Sequence, residues 1–134
     1  MSSPARAVVA GHGAFADGVI SAVHQITGRG ELFVGVSNRD LGASELEQTL
    51  RRLAESGITV IFTDLPAGSA TIAARRVLRD HQELQLVTGA SVPVLLEWLF
   101  NADDPAAPSR AAEKGRKAML VVGGAAAPGA SGGH

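Results

Sequence analysis

Cysteine is absent from the 134 residues. That excludes a disulfide framework, a thiolate zinc site and an iron–sulfur cluster. Net charge is nearly absent as well: 12 Lys and Arg stand against 13 Asp and Glu, for a formal charge of −1. Such a balance gives no electrostatic basis for holding nucleic acid or an anionic membrane surface. No apolar run reaches the roughly 18–20 residues of a membrane helix. The strongest candidate, residues 92–100, is short and contains Glu97. The N-terminus, from Met1 to Arg6, leads straight into a short apolar run with no signal-peptide layout. A G-x-x-x-x-G-K-[ST] loop is missing too, which leaves P-loop nucleotide hydrolysis without support. The expectation is one soluble, cytosolic domain with no membrane insertion, large enough to bury a core.

What is present alternates regularly. Residues 5–11 (ARAVVAG) read as a strand, with Val8 and Val9 supplying β-branched bulk. Over 14–27, Phe15, Val19, Val23 and Ile26 recur at spacings of three and four, a helical stripe. Residues 32–37 (LFVGVS) form a second strand. Residues 44–56 form a helix with Leu46, Leu50 and Leu53 on one face, Ser44 and Glu47 in capping-box spacing and Gly57 beyond its end. A third strand at 59–63 (TVIFT) precedes a helix at 69–78. A fourth at 84–88 (LQLVT) precedes a helix at 92–100 with Ser91 as its cap. Residues 101–108 read as loop, 109–118 as a polar helix and 119–122 as one more short strand. The fold class is α/β, a three-layer sandwich with helices on both faces of a mostly parallel sheet of order 2-1-3-4. Residues 1–122 form the domain, and 123–134, rich in Gly and Ala, form a flexible tail.

In such a sheet, ligands bind beyond the carboxyl ends of the strands where the strand order reverses. With order 2-1-3-4, the loops after strands one and three meet there. They carry Gly11-His12-Gly13 and Asp64-Leu65-Pro66-Ala67-Gly68-Ser69. A neutral imidazole is a nucleophile through one nitrogen only when the other holds the proton. A carboxylate accepting that N–H fixes the tautomer and stabilises the cation formed on attack. Two helix N-termini, near Ala14 and Ser69, aim backbone N–H groups at the same place, a favourable setting for phosphate. The Ser69 hydroxyl adds a donor, and Gly11, Gly13 and Gly68 permit close backbone approach. Nucleophilic His12, orienting Asp64 and an anion cradle of Gly13, Gly68 and Ser69 describe a phosphohistidine site. Phe15 and Leu65 are apolar contacts available to a docking protein.

Rival readings use the same residues. The run from Gly11 to Ala16 also satisfies G-x-G-x-x-[GA], the dinucleotide fingerprint. A ribose-binding acid is missing at the end of the second strand, where Ser37, Asn38 and Arg39 could accommodate a 2′-phosphate. The alternative is therefore an NADP-binding module. A receiver domain with Asp64 as acceptor ranks last, because it needs acidic residues where Gly11-His12-Gly13 stand. His24 and His81 read as surface groups and Arg75 and Arg76 as a solvated face. Asp103 and Asp104 lack any companion set of metal spacing, and the phosphohistidine reading calls for no metal or organic cofactor.

Three segments in order carry a specific likeness. Residues 8–18 (VVAGHGAFADG), 62–70 (FTDLPAGSA) and 87–97 (VTGASVPVLLE) resemble the mannose-family enzyme IIA proteins of the bacterial sugar phosphotransferase system. The resemblance implies that His12 is phosphorylated, that Asp64 pairs with its other ring nitrogen, and that Ser69 contacts the phosphoryl group. It implies the phosphorylated histidine-containing phosphocarrier protein as donor and an enzyme IIB component as acceptor during sugar uptake or regulation. It also implies a homodimer whose sheet is completed by an antiparallel strand exchanged between subunits, with 119–122 as that strand. The family usually has Gly-Gly-[Ser/Thr]-Pro in the second loop, where this chain has Ala67-Gly68-Ser69-Ala70.

Overall fold

The structure, a computed structural model, describes residues 4–125. Four parallel strands, β1 (Ala7–Gly11), β2 (Phe33–Ser37), β3 (Val60–Thr63) and β4 (Gln85–Val87), form one sheet in the order β2-β1-β3-β4. Helices α1 (Phe15–Thr27), α2 (Ala43–Glu55), α3 (Ser69–Leu78) and α4 (Val92–Leu99) follow the strands in turn, and α5 (Ala107–Ala118) comes last. The expected α/β sandwich and strand order are what the chain adopts.

Side-chain alternation along the central strands explains the three layers. Ala7 and Val9 of β1, with Phe62 of β3, face α1, α4 and α5. Val8, Ala10 and Ile61 face α2 and α3. On the first face Trp98 stands edge-on to Phe33 and Phe62, with ring centroids 5.3 and 5.9 Å away. On the second, Leu46 and Leu50 of α2 meet Ala73, Ala74 and Val77 of α3. Burying each of the larger side chains contributes about 1.5–3 kcal/mol. Strands β1 and β3 are buried along their whole length, as the middle of a doubly covered sheet requires.

Element ends differ from the expectations in instructive ways. Strands β1, β2, β3 and β4 each start one or two residues later than expected, although backbone hydrogen bonds from Arg6 to the Leu32 carbonyl, Thr59 to the Arg6 carbonyl and Gln85 to the Thr59 carbonyl already draw the preceding residues together. Leu32 belongs to a short 3₁₀ turn, Gly30–Leu32. Helix α2 starts at Ala43 with Gly42 as its N-cap, and Glu45, not Glu47, reaches back to the Gly42 N–H at 3.3 Å. Glu47 pairs with Arg51 and Arg76 instead. Ser91 occupies the N-cap of α4 in extended backbone, but its hydroxyl makes no capping bond.

Helix α5 begins two residues earlier than expected, since Ala107 and Pro108 are buried and tolerated in a first turn. It lies close against α4: a Cβ on Gly115 would clash with the Val94 side chain. Residues 119–122 leave α5 without regular structure in the single chain, and Met119, Leu120, Val121 and Val122 are almost wholly exposed. Most of the Gly/Ala-rich tail lies outside the described residues. Among them no helix is long and apolar enough to cross a membrane.

Candidate functional site at the sheet switch point

β1 and β3 are neighbours in the sheet and their carboxyl ends bring His12 and Asp64 together. Asp64 Oδ2 accepts two hydrogen bonds from one residue: His12 backbone N–H at 2.9 Å and His12 Nδ1–H at 2.9 Å. The carboxylate is largely enclosed, its side chain 12% exposed, while the imidazole is 53% exposed. With Nδ1 engaged below, Nε2 is left to the open side with its lone pair available. Partial burial pushes the Asp64 carboxyl up, but the hydrogen bonds from His12 backbone and ring together outweigh it and hold the group below its ordinary value. Asp64 therefore stays ionised through the neutral range.

The glycines divide the work differently from the expectation. A Cβ on Gly11 would stand 2.7 Å from Asp64 Cγ and Oδ2, so its bareness makes room for the Asp64 carboxylate rather than for a bound ligand. Gly13, at φ 52°, and Gly68, at φ 110°, occupy left-handed backbone that favours glycine. Gly68 also backs the imidazole, since a Cβ there would lie 3.4 Å from His12 Cε1. Because the loop puts its positive φ at Gly68, Ala67 stands there without backbone strain. Ala70 is buried in the first turn of α3, where it packs into the core.

Ser69 is the first residue of α3, exposed beside His12's loop. Beneath it runs a buried hydroxyl pair that the sequence reading missed. Thr71 Oγ1 donates to the Leu65 carbonyl at 2.5 Å, and Thr63 and Thr71 hydroxyls lie 2.7 Å apart. Both threonines are buried and have their hydrogen bonds made, so they brace the 64–68 loop at little cost.

The end of β2 closes the third side. Ser37 Oγ donates to the Gly13 carbonyl at 2.9 Å and accepts the Arg39 N–H at 3.0 Å. Asn38 N–H donates to the Gly11 carbonyl at 3.0 Å, and Asn38 Nδ2 donates to Ser69 Oγ at 3.1 Å. A turn closed by Leu41 N–H on the Asn38 carbonyl follows, with Asp40 at φ 65°. Left-handed backbone costs a residue with a side chain about 1–2 kcal/mol, less for Asp than for most. The signal for this third wall was the polar trio itself, standing at a strand end beside the switch point.

Elsewhere the candidates separate from the site. Phe15 is half-buried against the core and Leu65 is exposed. His24 Nδ1 accepts the Gly30 N–H, and His81 is half-buried between Glu55 and Glu83 rather than solvated. Asp103 pairs with Arg6, and Asp104 accepts from Ala106 N–H and Arg110. Among the described residues no His, Asp and Glu cluster fit to hold a metal occurs.

The arrangement has a family. The family model described as the PTS system fructose IIA component, of the mannose type, matches residues 6–113. This chain belongs to the mannose-family enzyme IIA proteins. Solved structures of similar fold include a phosphotransferase system component EIIA from Streptococcus agalactiae, at 16% identity and a TM-score of 0.78, covering 87% of this chain and 95% of that one. A PTS IIA protein associated with the fucose utilization operon of Streptococcus pneumoniae aligns at 20% identity and a TM-score of 0.77, over 90% and 96% of the two chains. The mannose/sorbose specific IIA subunit from Enterococcus faecalis gives 18% identity and a TM-score of 0.75, over 95% and 99%. No curated protein matches the chain. As an enzyme IIA, it is a component of the sugar phosphotransferase system, and this favours the phosphoryl reading of residues 11–16 over the dinucleotide one.

Proposed function

We propose that this enzyme IIA is a cytoplasmic phosphocarrier that takes a phosphoryl group on His12 Nε2 and passes it on. The donor is the phosphorylated histidine-containing phosphocarrier protein and the acceptor an enzyme IIB component. The observation that carries the reading is the double hydrogen bond from His12 to Asp64 Oδ2, which leaves Nε2 free and exposed. In the transfer, the donor's N–P bond breaks as a bond from Nε2 to phosphorus forms. The Nδ1 proton stays in place, and the imidazolium so formed faces the Asp64 carboxylate. Gly13, Gly68 and Ser69 surround the phosphoryl oxygens with backbone N–H groups and a hydroxyl. Such transfer depends on positioning and charge more than on covalent machinery. The working form is a homodimer, and residues 119–122 supply the exchanged strand; their exposed apolar side chains support this.

The test is intact-mass spectrometry at neutral pH after incubation with phosphoenolpyruvate, enzyme I and the phosphocarrier protein. One acid-labile phosphoryl adduct on the wild type, absent from His12→Ala, is the expected result. An adduct that survives in His12→Ala, or none on the wild type, overturns the proposal.

A further inference from the structure

The phosphocarrier reading leaves one charged group beside His12 without a role. Arg39 sits at the corner of the turn that follows β2, and its guanidinium lies over Gly13: a Cβ there would be 3.4 Å from Arg39 Nη2. Arg6, Arg51, Arg76 and Arg110 each meet an acidic side chain. Among the described residues no carboxylate lies within ion-pair distance of Arg39. Its backbone is held by the Ser37 hydroxyl, which itself is bonded to the Gly13 carbonyl, so the residue is anchored beside the loop that carries His12.

Charge makes the case for a ligand. A phosphoryl group on Nε2 brings negative charge to a place already flanked by the Asp64 carboxylate. The imidazolium offsets only part of it, and backbone amides supply dipoles rather than full charge. Among the described residues, the unpaired cation on the His12 loop's rim is Arg39, and a guanidinium meets phosphoryl oxygens with paired N–H donors. Beside it, Asn38 acts on Ser69. A serine hydroxyl has one hydrogen and two lone pairs. With Asn38 Nδ2 donating to Ser69 Oγ, a lone pair is occupied and the hydroxyl hydrogen is left to donate outward.

We infer that Arg39 binds the phosphoryl group carried by His12, and that Asn38 is a positioning residue that turns the Ser69 hydroxyl toward it. The β2–α2 turn is thus a third wall of the phosphoryl site, joined to the two loops already described. This inference rests on the phosphocarrier reading.

Timed phosphorylation by the phosphorylated phosphocarrier protein tests it, read by intact mass, together with the half-life of the adduct once the donor is removed. Arg39→Gln is expected to slow acceptance about tenfold and to change the half-life, because an exposed cation acts through screened charge. Arg39→Lys, which keeps charge and loses the paired donors, should fall between Gln and wild type. Asn38→Ala is expected to slow acceptance several-fold in the wild-type background and to change nothing further in Ser69→Ala. A merely structural role would instead give additive losses. Wild-type rate and half-life in Arg39→Gln overturn the Arg39 assignment, and additivity of Asn38→Ala with Ser69→Ala overturns that of Asn38. A wild type that takes no phosphoryl group at all overturns the phosphocarrier reading, and this inference with it.

Discussion

One oxygen, Asp64 Oδ2, holds both the backbone and the ring of His12. Replacing Asp64 with Asn keeps the volume but allows its amide to face Nδ1 as donor, which favours the wrong tautomer. Phosphoryl acceptance should fall about a hundredfold, measured by quenched time courses. The same substitution carries a stability signature. The Asp64 carboxyl is held below its ordinary value of 3.8, so its contribution is fully present at neutral pH and is lost as pH falls through the folded-state value. In urea melts, the stability gap between wild type and Asp64→Asn should therefore narrow below about pH 4. Gly11→Ala should mimic Asp64→Asn in the transfer assay while leaving the His12 and Asp64 side chains themselves unchanged, because the added Cβ takes the carboxylate's place.

Between elements, the tightest contact is α5 on α4. Gly115→Ala places a methyl against Val94 and should destabilise the fold by about 1–3 kcal/mol. Val94→Ala in the same chain should recover part of that loss, a coupling that urea denaturation of the four variants reads directly. This contact also marks where sequence reading stops. Helix α3 was legible to its bounds because its apolar residues recur at helical spacing and Gly68 precedes it. The start of α5 was not, since Ala107 and Pro108 look like loop residues until a neighbouring helix buries them. Within the site, the meeting of His12 and Asp64 was legible because each directly follows a strand and their chemistry is complementary. Thr71 and Thr63 were not, for their roles depend on which carbonyl or hydroxyl happens to lie opposite, and no spacing encodes that.

For the molecule as a whole, the apolar residues after α5 are the clearest unfinished surface, with Val121 99% exposed. In the proposed dimer they are covered, so Val121→Asp should lower the mass seen by light scattering to about half that of wild type, without changing the far-ultraviolet helix signal. An unchanged mass would count against the exchanged strand. His12 and Asp64, the proposed nucleophile and its orienting carboxylate, are separated by 52 positions in sequence and meet only because β3 is laid beside β1. A chain with an intact His12 but an unassembled sheet is therefore chemically blank. Under the proposed phosphocarrier function, the fraction of a preparation able to take up phosphoryl becomes a count of its correctly folded molecules, an active-site titration that needs neither the sugar nor the sugar-transporting components.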